Sequence, residues 1–382
     1  MSPTNFTLVV SFFLLLGQHA GRVVITLYAL QLHADPFTVG VLAAVSAVPP
    51  MAFSWHVGRF TDRFGSRWLL AMSGLSGAVG MLVPYVAPGL AALFVASAMC
   101  GLLSAFLVAP VQNLMGLLSR PEDRVKNFSN LTLVVSFAGF AGPLLAGFSI
   151  DHAGPGVACL ITVLLPLIAA ALLVIWGDCL PSGTRPAKPT GSVRVLLSES
   201  GLWRVLTTSS LVVMGIELYQ VFLPIYGKDI GLSASAIGII LATYAVAAFV
   251  IRLFLSALVK RFAAERVLAY SFLIGATGFL LVPFCKGILM LSLVAFIFGI
   301  GTGCGQPVTL MMTFSNSTEG RSGEALGVRV TVNNLARVTG QVLFGSIASV
   351  LGVFAVFWIN ALLFASGWIA SRPGGDRRHQ KG

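Results

Sequence analysis

Charged residues are scarce in this sequence. Only 10% of its 382 residues are charged, whereas a soluble domain carries about a quarter. The apolar share is 57% and the mean hydropathy is +0.92, which excludes an ordinary soluble enzyme. Acidic residues are the rarer kind, because 13 Asp and Glu stand against 24 Lys and Arg and leave a net charge of +11. A basic balance can indicate nucleic-acid binding, but this hydropathy fits no nucleic-acid-binding domain.

Sequence signals for catalysis are absent as well. The sequence has no cluster of metal ligands, no pair of catalytic acids and no nucleophile arrangement, so we expect neither an enzyme nor a bound cofactor. An ATP-driven pump is disfavoured because no G-x-x-x-x-G-K-[ST] loop exists to hold phosphates. The five cysteines show no paired spacing and are expected to be buried, unpaired thiols. No Lys or Arg precedes the first apolar region, so we do not expect a cleaved signal peptide.

Long apolar runs are what the sequence has instead. A helix that spans a bilayer needs about 20 mostly apolar residues and few charges. Two charge-free runs hold two spans each, because 68–119 is broken by turn residues and 338–371 is broken near Gly352. Two further segments with one internal charge each, about 7–30 and about 202–226, bring the total to twelve spans. The charge-free runs are 36–58, 68–119, 127–150, 152–177, 230–251, 267–285, 287–318 and 338–371.

The distribution of the cations predicts how the chain crosses the membrane. When the spans are assigned to alternate directions, 18 of the 24 Lys and Arg lie at the end of the bundle that carries both termini. Only Lys228 and Lys286 lie at the opposite end, and the other four cations lie within or near spans. Because positively charged loops stay in the cytoplasm, we predict a multi-pass protein of the cytoplasmic (inner) membrane with both termini cytoplasmic.

The two halves of the chain repeat one another. Matching residues recur at an offset of +198, for example Gly40 with Gly238 and Tyr28 with Tyr226. Agreement in four separate helix pairs predicts a duplicated bundle of six plus six helices, with a substrate site near the midplane where the halves meet. The predicted division of the chain is a first bundle at 1–177, a cytoplasmic linker at 178–200, a second bundle at 201–371 and a cytoplasmic tail at 372–382.

The loop between the second and third spans carries a family signature. It reads Gly58-x-x-x-Asp62-Arg63-x-Gly65-Ser66-Arg67 and is similar to the G-x-x-x-D-R-x-G-R-R loop of the major facilitator superfamily, from which it departs only at Ser66. With the twelve spans and the repeat, the resemblance covers essentially the whole chain. It implies the major facilitator fold, which is an all-α integral membrane protein with twelve transmembrane helices in two pseudo-symmetric six-helix bundles.

The same loop is a candidate gate. A carboxylate at a helix end accepts hydrogen bonds from cations and from the helix N-termini of the other half, so it can hold the cytoplasmic face in one state. The alternative is that these charges only orient the loop. In the mirrored loop Arg261 is retained, and Arg252 in the eighth span is expected to brace the gate. The predicted gating residues are Gly58, Asp62, Arg63, Gly65, Arg67, Arg252 and Arg261.

The fifth span contains a second family-like motif. Its stretch 138–147 is similar to the antiporter signature G-x-x-x-G-P-x-x-G-G, with Ala in place of two Gly, and this resemblance implies efflux in exchange for protons. Close helix packing alone is the alternative, because small residues let helices approach and proline kinks a helix. Many family antiporters carry an Arg in the fourth span where this chain has Ser97, so another group must serve proton coupling. The predicted helix-packing residues are Gly139, Gly142, Pro143 and Gly147.

Charged residues inside the spans are functional candidates, because each costs about 2.5–3.5 kcal/mol at the bilayer centre. His19 and Glu217 are equivalent at the repeat offset, and both residue types can titrate near neutrality when buried. We predict that His19 or Glu217 carries the coupling proton, and a structural hydrogen-bonded role for each is the alternative. Arg337 either pairs with Glu217 or receives an anionic group of the substrate. The cavity candidates are Gln18, Arg22, Tyr219, Gln220, Gln306, Asn333, Asn334 and Arg337.

Together these patterns predict a secondary active transporter. We expect it to move a small amphiphilic drug or metabolite by alternating access and to export it in exchange for protons. The alternative is proton-coupled uptake of a small organic anion or zwitterion, which the excess of intramembrane Arg over acid favours. A more remote alternative is a sensor or assembly factor of transporter fold. The expected partners are the small-molecule substrate, protons and the lipid bilayer, without nucleic acid and with the chain as a monomer.

Overall fold

The protein is helical throughout the part of the chain that the computed structural model describes, which is residues 2–120, 123–181, 200–315 and 322–371. Most of the predicted linker and the whole predicted tail lie outside these ranges. The helices of the first half are α1 (Pro3–Gln31), α2 (Pro36–Phe64), α3 (Ser66–Val86), α4 (Leu90–Leu118) and α5 (Arg124–Trp176). The helices of the second half are α6 (Ser200–Asp229), α7 (Ala234–Leu253), α8 (Leu255–Phe262), α9 (Ala264–Leu281), α10 (Ile288–Thr302), α11 (Gly305–Ser315), α12 (Ser322–Leu351) and α13 (Val353–Ser371).

The helices account for the twelve spans expected from the sequence. Ten described segments are long and apolar enough to cross a membrane. One of them holds two spans, because α5 is interrupted at Gly154, whose φ of 82° and ψ of 167° suit only glycine. Pro155 then fits the first turn of the helix that follows. The twelfth span is α12, which has 30 residues and carries two arginines, so its apolar character is weaker than that of the other spans.

Each half has its own apolar interior. In the first half α5 packs along α1 and α3, and α2 packs on α4. In the second half a group of stacked rings fills the centre of the bundle. Tyr219 lies 4.3 Å from Phe298 between ring centroids, and Phe279 lies 4.7 Å from Phe298 and 5.2 Å from Phe364. These rings fix α6, α9, α10 and α13 against one another.

The two halves meet along two equivalent helix pairs, α2 with α12 and α5 with α7. At the first pair, a Cβ on Gly40 would lie 2.6 Å from the backbone oxygen of Gln341. At the second, a Cβ on Gly238 would lie 2.5 Å from the backbone oxygen of Pro143. Both approaches are too close for any side chain, and Gly40 and Gly238 are partners in the repeat. Of the predicted packing residues, Pro143 and Gly147 lie at this contact between α5 and α7, whereas a Cβ on Gly142 would meet α1.

Polar groups join both helix pairs at one end of the bundle. This end contains Asp35 and Asp151 and is opposite to the predicted linker, so we call it the distal end. At the α2–α12 contact, the Ser349 hydroxyl donates to Asp35 Oδ2 at 3.1 Å and accepts from the Phe37 N–H at 2.9 Å. At the α5–α7 contact, Asp151 accepts from the backbone N–H groups of Ala234 and Ser235 at 3.0 and 2.7 Å. Each contact therefore satisfies free N–H groups at the start of a helix.

The two distal contacts are related by the repeat with their residue types exchanged. Asp35 and Ser233 precede α2 and α7 and are equivalent at +198, as are Asp151 and Ser349. Each contact thus contains one carboxylate and one hydroxyl. The carboxylate precedes the helix of the pair at the α2–α12 contact, and the hydroxyl does so at the α5–α7 contact. A hydrogen bond from the Thr38 hydroxyl, above all, holds the pKa of the Asp35 carboxyl below its usual range. The stabilisation from the hydrogen bonds to Asp35, which include the one from Ser349 across the α2–α12 contact, is therefore present at neutral pH and is lost as the pH falls through the lowered pKa.

We expect Asp151→Ala to loosen the distal end at the α5–α7 contact. The variant removes both acceptors of the Ala234 and Ser235 N–H groups, and such charge-assisted bonds are worth about 1.5–3 kcal/mol each. Hydrogen exchange of the amides at 232–238 in purified protein should accelerate about tenfold or more. Asp123→Ala is the matched control, because Asp123 precedes α5 at the opposite end and makes no side-chain cap. Unchanged exchange in Asp151→Ala would show that this contact does not hold α7.

Candidate functional site

A cavity of about 240 Å³ lies between the two halves. The first half contributes residues of α1, α2, α4 and α5 to its wall, and the second half contributes residues of α6, α7, α11 and α12. Apolar side chains such as Val23, Ile216 and Leu241 share the wall with polar ones. The polar and charged wall residues are His19, Arg22, Thr26, Ser46, Ser97, Ser136, Glu217, Gln220, Tyr244, Arg252, Gln306 and Gln341.

The wall follows the internal repeat. His19 and Glu217 both line the cavity, as do their neighbours Arg22 and Gln220, which are also equivalent at +198. The same offset relates four further pairs of wall residues. These pairs are Val23 with Val221, Ala43 with Leu241, Ser46 with Tyr244, and Pro143 with Gln341. The cavity therefore lies on the pseudo-twofold axis of the fold.

Glu217 is the centre of a charged cluster. Arg337 Nη2 lies 2.9 Å from Glu217 Oε1, and Arg22 Nη1 lies 3.5 and 3.4 Å from the two carboxylate oxygens. The side chains are 12% exposed for Glu217, 18% for Arg337 and 26% for Arg22. The sequence left two roles open for Arg337, an ion pair with Glu217 and binding of an anionic substrate group, and the structure shows the ion pair. Since Arg22 belongs to the first half and Glu217 to the second, the cluster also joins the halves.

His19 lies one helical turn from Arg22 on the same wall. A Cβ on Gly142 would lie 2.6 Å from the His19 Cβ, and Gly139 is open enough that its Cβ would be 3.9 Å from His19 Nε2. The small residues of the fifth span thus make room for this imidazole. Within the described ranges the ring makes no hydrogen bond to protein, so its two nitrogens are available to the cavity.

Other candidates from the sequence lie away from the wall. Gln18 donates to the Ser104 hydroxyl at 3.1 Å inside the first half. Tyr219 is fully buried among the rings of the second half, and its hydroxyl has no partner among the described residues. Asn333 donates to the Ser209 hydroxyl at 3.0 Å, and Asn334 is buried. The cavity residues that sequence reasoning missed include Ser136, Tyr244 and Gln341. Gln341 lies four residues after the candidate Arg337, and this helical spacing is the signal that could have revealed it.

The predicted gating arginines whose side chains the structure describes, Arg67, Arg252 and Arg261, make contacts inside their own halves. Arg67 donates to the Leu173 and Val174 carbonyls at 3.0 and 2.9 Å and pairs with Asp178, which fastens the start of α3 to the end of α5. Arg252 donates to the Gly303 carbonyl at 2.9 Å. Arg261 is exposed beside the Phe262 ring, and Gly65 begins α3 with a φ of 78°. Gly58 lies in α2, and the side chains of Asp62 and Arg63 lie outside the described part of the structure.

Comparisons with known proteins agree with this fold. The model of the Major Facilitator Superfamily matches residues 7–232 and again residues 205–381, so it covers each half in turn. Multidrug resistance protein MdtG of Klebsiella pneumoniae (strain 342) is 24% identical over 314 residues, which are 80% of this chain and 75% of that protein. Quinolone resistance protein NorA of Staphylococcus aureus (strain Mu50) is 22% identical over 366 residues, which are 92% of this chain and 91% of that protein.

Solved structures share the architecture at lower identity. A mutant of the nucleoside transporter NupG superposes with a TM-score of 0.85 at 13% identity, covering 97% of this chain and 99% of that one. The peptide transporter POT in complex with sulfate superposes with a TM-score of 0.80 at 17% identity, covering 96% and 93% of the two chains. These likenesses show the fold alone.

Replacing Arg337 alone should lower the stability of the protein more than replacing Arg337 and Glu217 together. Arg337→Gln leaves the carboxylate with only the longer Arg22 contact, so we expect a loss of roughly 1–3 kcal/mol in stability. The readout is a lower midpoint temperature for unfolding of the purified protein. Adding Glu217→Gln should restore most of this loss, because the uncompensated charge is removed.

Arg22→Gln is the matched control for this cycle. Its contact with Glu217 is longer and its side chain is more exposed than that of Arg337, so its effect on the midpoint should be smaller. Equal effects of the two arginine variants, or no recovery in the double variant, would contradict the assignment of Arg337 as the main partner of Glu217.

Proposed function

The chain belongs to the Major Facilitator Superfamily, and we propose that it is a secondary active transporter that exports a small amphiphilic organic compound in exchange for protons. The observation that carries the proposal is the cavity on the pseudo-twofold axis, with the titratable His19 and Glu217 at equivalent positions of its wall. Residence in the cytoplasmic (inner) membrane, with both termini in the cytoplasm, is part of the proposal and rests on the distribution of cations.

Alternating access is supported by where the halves touch. Both distal contacts are formed, and each joins one helix of the first half to one of the second. For the cavity to open at the distal end, the α2–α12 and α5–α7 contacts must part together, as in the rocking of two rigid bundles about a central site. The close backbone contacts of Gly40 with α12 and of Gly238 with α5 are the two equivalent places where the halves meet when the distal end is closed.

Proton coupling is supported by the cluster at Glu217. A carboxylate that bridges an Arg of each half loses that function when it is protonated, because only the ionised form makes charge-assisted bonds with both guanidinium groups. A proton on Glu217 would therefore weaken the link between α1 and α6 at the depth of the cavity. His19 stands at the equivalent position of the first half and can take up a proton from the same space.

Export of an amphiphile is supported by the wall and by the relatives. The wall combines aliphatic side chains with hydroxyl, amide and charged groups, which suits a compound with one apolar and one polar part. Two of the relatives are named for multidrug and quinolone resistance. Their identity to this chain is low, so they support the direction and leave the substrate open.

A second candidate function is proton-coupled uptake of a small organic anion or zwitterion. One observation favours it: among the described wall residues, Glu217 is the single acid while Arg22 and Arg252 are both cations. A sensor or assembly factor without transport activity is a third, remote candidate. Proton flux that depends on substrate, measured in reconstituted vesicles, separates both transport functions from that one.

We expect transport to depend on external pH through His19 or Glu217. Cells with and without the protein would be compared for accumulation of a panel of drugs and metabolites at about pH 5.5 and about pH 7.5, the range in which such groups titrate. An exporter driven by protons should lower accumulation more strongly at the lower external pH. Uptake by symport should instead raise accumulation at the lower pH.

The variants Glu217→Gln and His19→Ala then locate the proton. Loss of the pH dependence in one of them, while substrate exchange without a gradient persists, identifies the coupling group. Lys286→Gln is the control, since Lys286 is exposed and lies at the distal end. Full proton dependence in both variants would falsify the assignment of these two residues.

A further inference from the structure

The two arginines of the Glu217 cluster are bound unequally. Arg337 lies 2.9 Å from the carboxylate, within the ordinary range of a charge-assisted hydrogen bond. Arg22 reaches the same carboxylate only at 3.4 and 3.5 Å, through a single nitrogen. Because one carboxylate can neutralise one cation, the close pair with Arg337 leaves most of the Arg22 charge uncompensated.

Arg22 is also the more exposed of the two cluster members that line the cavity. Its side chain lines the wall and is the most exposed of the three, at 26%. Among the described residues Glu217 is its only acceptor, and the Arg22 Nε and Nη2 groups have none. A guanidinium has five N–H donors in a planar fork that fits a carboxylate in two parallel hydrogen bonds. Arg22 therefore presents N–H donors without an acceptor among the described residues to the cavity.

The rest of the wall does not supply the missing anion. In the described ranges no Asp lines the cavity and Glu217 is its one Glu. Arg252 and His19 add cationic or neutral groups, and Gln341, which is 2% exposed, has an unpartnered side-chain oxygen. The Ser136 hydroxyl is likewise unpartnered. The wall thus has two arginines, of which Arg252 donates to the Gly303 carbonyl and Arg22 has only the long contact with Glu217. Ser136 and Gln341 add two neutral groups without a partner among the described residues.

We infer that Arg22 binds a carboxylate of the transported compound, which replaces Glu217 on this guanidinium while Glu217 remains paired with Arg337. The inference rests on the proposed function in that it takes this cavity as the transport site. It narrows the substrate class to amphiphiles that carry a carboxylate. Their apolar part packs against wall residues such as Val23, Val221 and Leu241.

Such a carboxylate could belong to a simple anion or to a zwitterion, and Glu217 distinguishes the two. A simple anion competes with Glu217 for Arg22, so neutralising Glu217 strengthens its binding. A zwitterion places its ammonium group on Glu217, so neutralising Glu217 weakens its binding. The other titratable or charged groups around this carboxylate are His19 on α1, Cys100 on α4, Tyr244 and Arg252 on α7 and Arg337 on α12. Replacement of Glu217 by Gln avoids titrating them.

The test is equilibrium binding to purified protein without a proton gradient. The probes are ω-phenylalkanoates with chains of about four to ten carbons, their primary amides, and the corresponding 2-amino acids, chosen because the series changes charge at nearly constant shape. Wild-type protein should bind at least one acid or amino acid about tenfold or more tightly than its amide. Arg22→Gln should abolish this preference and leave amide binding unchanged.

Two further variants keep the test decisive. Arg22→Lys retains the charge without the fork and should recover part of the preference, which guards against a folding defect in Arg22→Gln. Lys286→Gln removes an exposed cation outside the cavity and should behave as wild type. With Glu217→Gln, tighter binding of the acid supports a simple anion, and weaker binding of the amino acid supports a zwitterion.

Three results would overturn the inference: amides that bind as tightly as acids, an acid preference that survives Arg22→Gln, or no binding of any acid or amino acid in the series. None of these results bears on whether the protein transports, because no gradient or flux is measured. Conversely, absence of substrate-dependent proton flux in vesicles, together with the acid preference, would reject the proposed function and leave the Arg22 site in place.

Discussion

An ionised carboxylate in the middle of a membrane-spanning bundle determines the arrangement around it. Leaving the Glu217 charge unpaired at that depth would cost several kcal/mol, so cations from both halves approach it. Arg337 does so at 2.9 Å from the second half and Arg22 at 3.4 Å from the first. The three side chains position α1, α6 and α12 relative to one another, and the cavity forms beside them. The charge that defines the site is therefore also a link between the halves.

The junction between the halves is not uniform along its length. At the distal end, close backbone approach at Gly40 and Gly238 is combined with carboxylate and hydroxyl contacts at both helix pairs. At the depth of the cavity, the cross-half polar contact in the described ranges is the long pair of Arg22 with Glu217. Because the distal contacts are equivalent under the repeat, rocking one half on the other stresses them alike. The central pair is the part of the junction that lies on the cavity wall, where a transported compound can reach it.

The sequence predicted the spans, the repeat and the equivalence of His19 and Glu217, because these depend on composition and on a fixed offset. It did not predict the distal contacts, because no residue type recurs there at the offset: Asp35 and Ser349 exchange roles with Ser233 and Asp151. Tyr219 was misplaced beside Glu217 because two residues along a helix rotate by about 200°, which directs its ring into the second bundle. The same geometry separates the polar residues of α12. Each step of four residues rotates the side chain by about 40° around the helix, so Gln341 reaches the cavity while Asn333 donates to Ser209.

The sign of the charge cluster limits what a proton can do in the cavity. With Glu217 ionised, Arg22, Arg337 and the carboxylate carry one net positive charge, and protonation raises this to two. Opposite unit charges 4 Å apart attract by about 4 kcal/mol at an effective dielectric constant of 20, which equals several ordinary hydrogen bonds of about 1 kcal/mol. Protonation alone is therefore unfavourable unless something else changes. Separation of α1 from α6, departure of a bound ammonium group or entry of an anion each relieves it. The first two responses belong to an exporter and the third to a symporter, so the presence or absence of an ammonium group beside Glu217, rather than the fold, would decide the direction of transport.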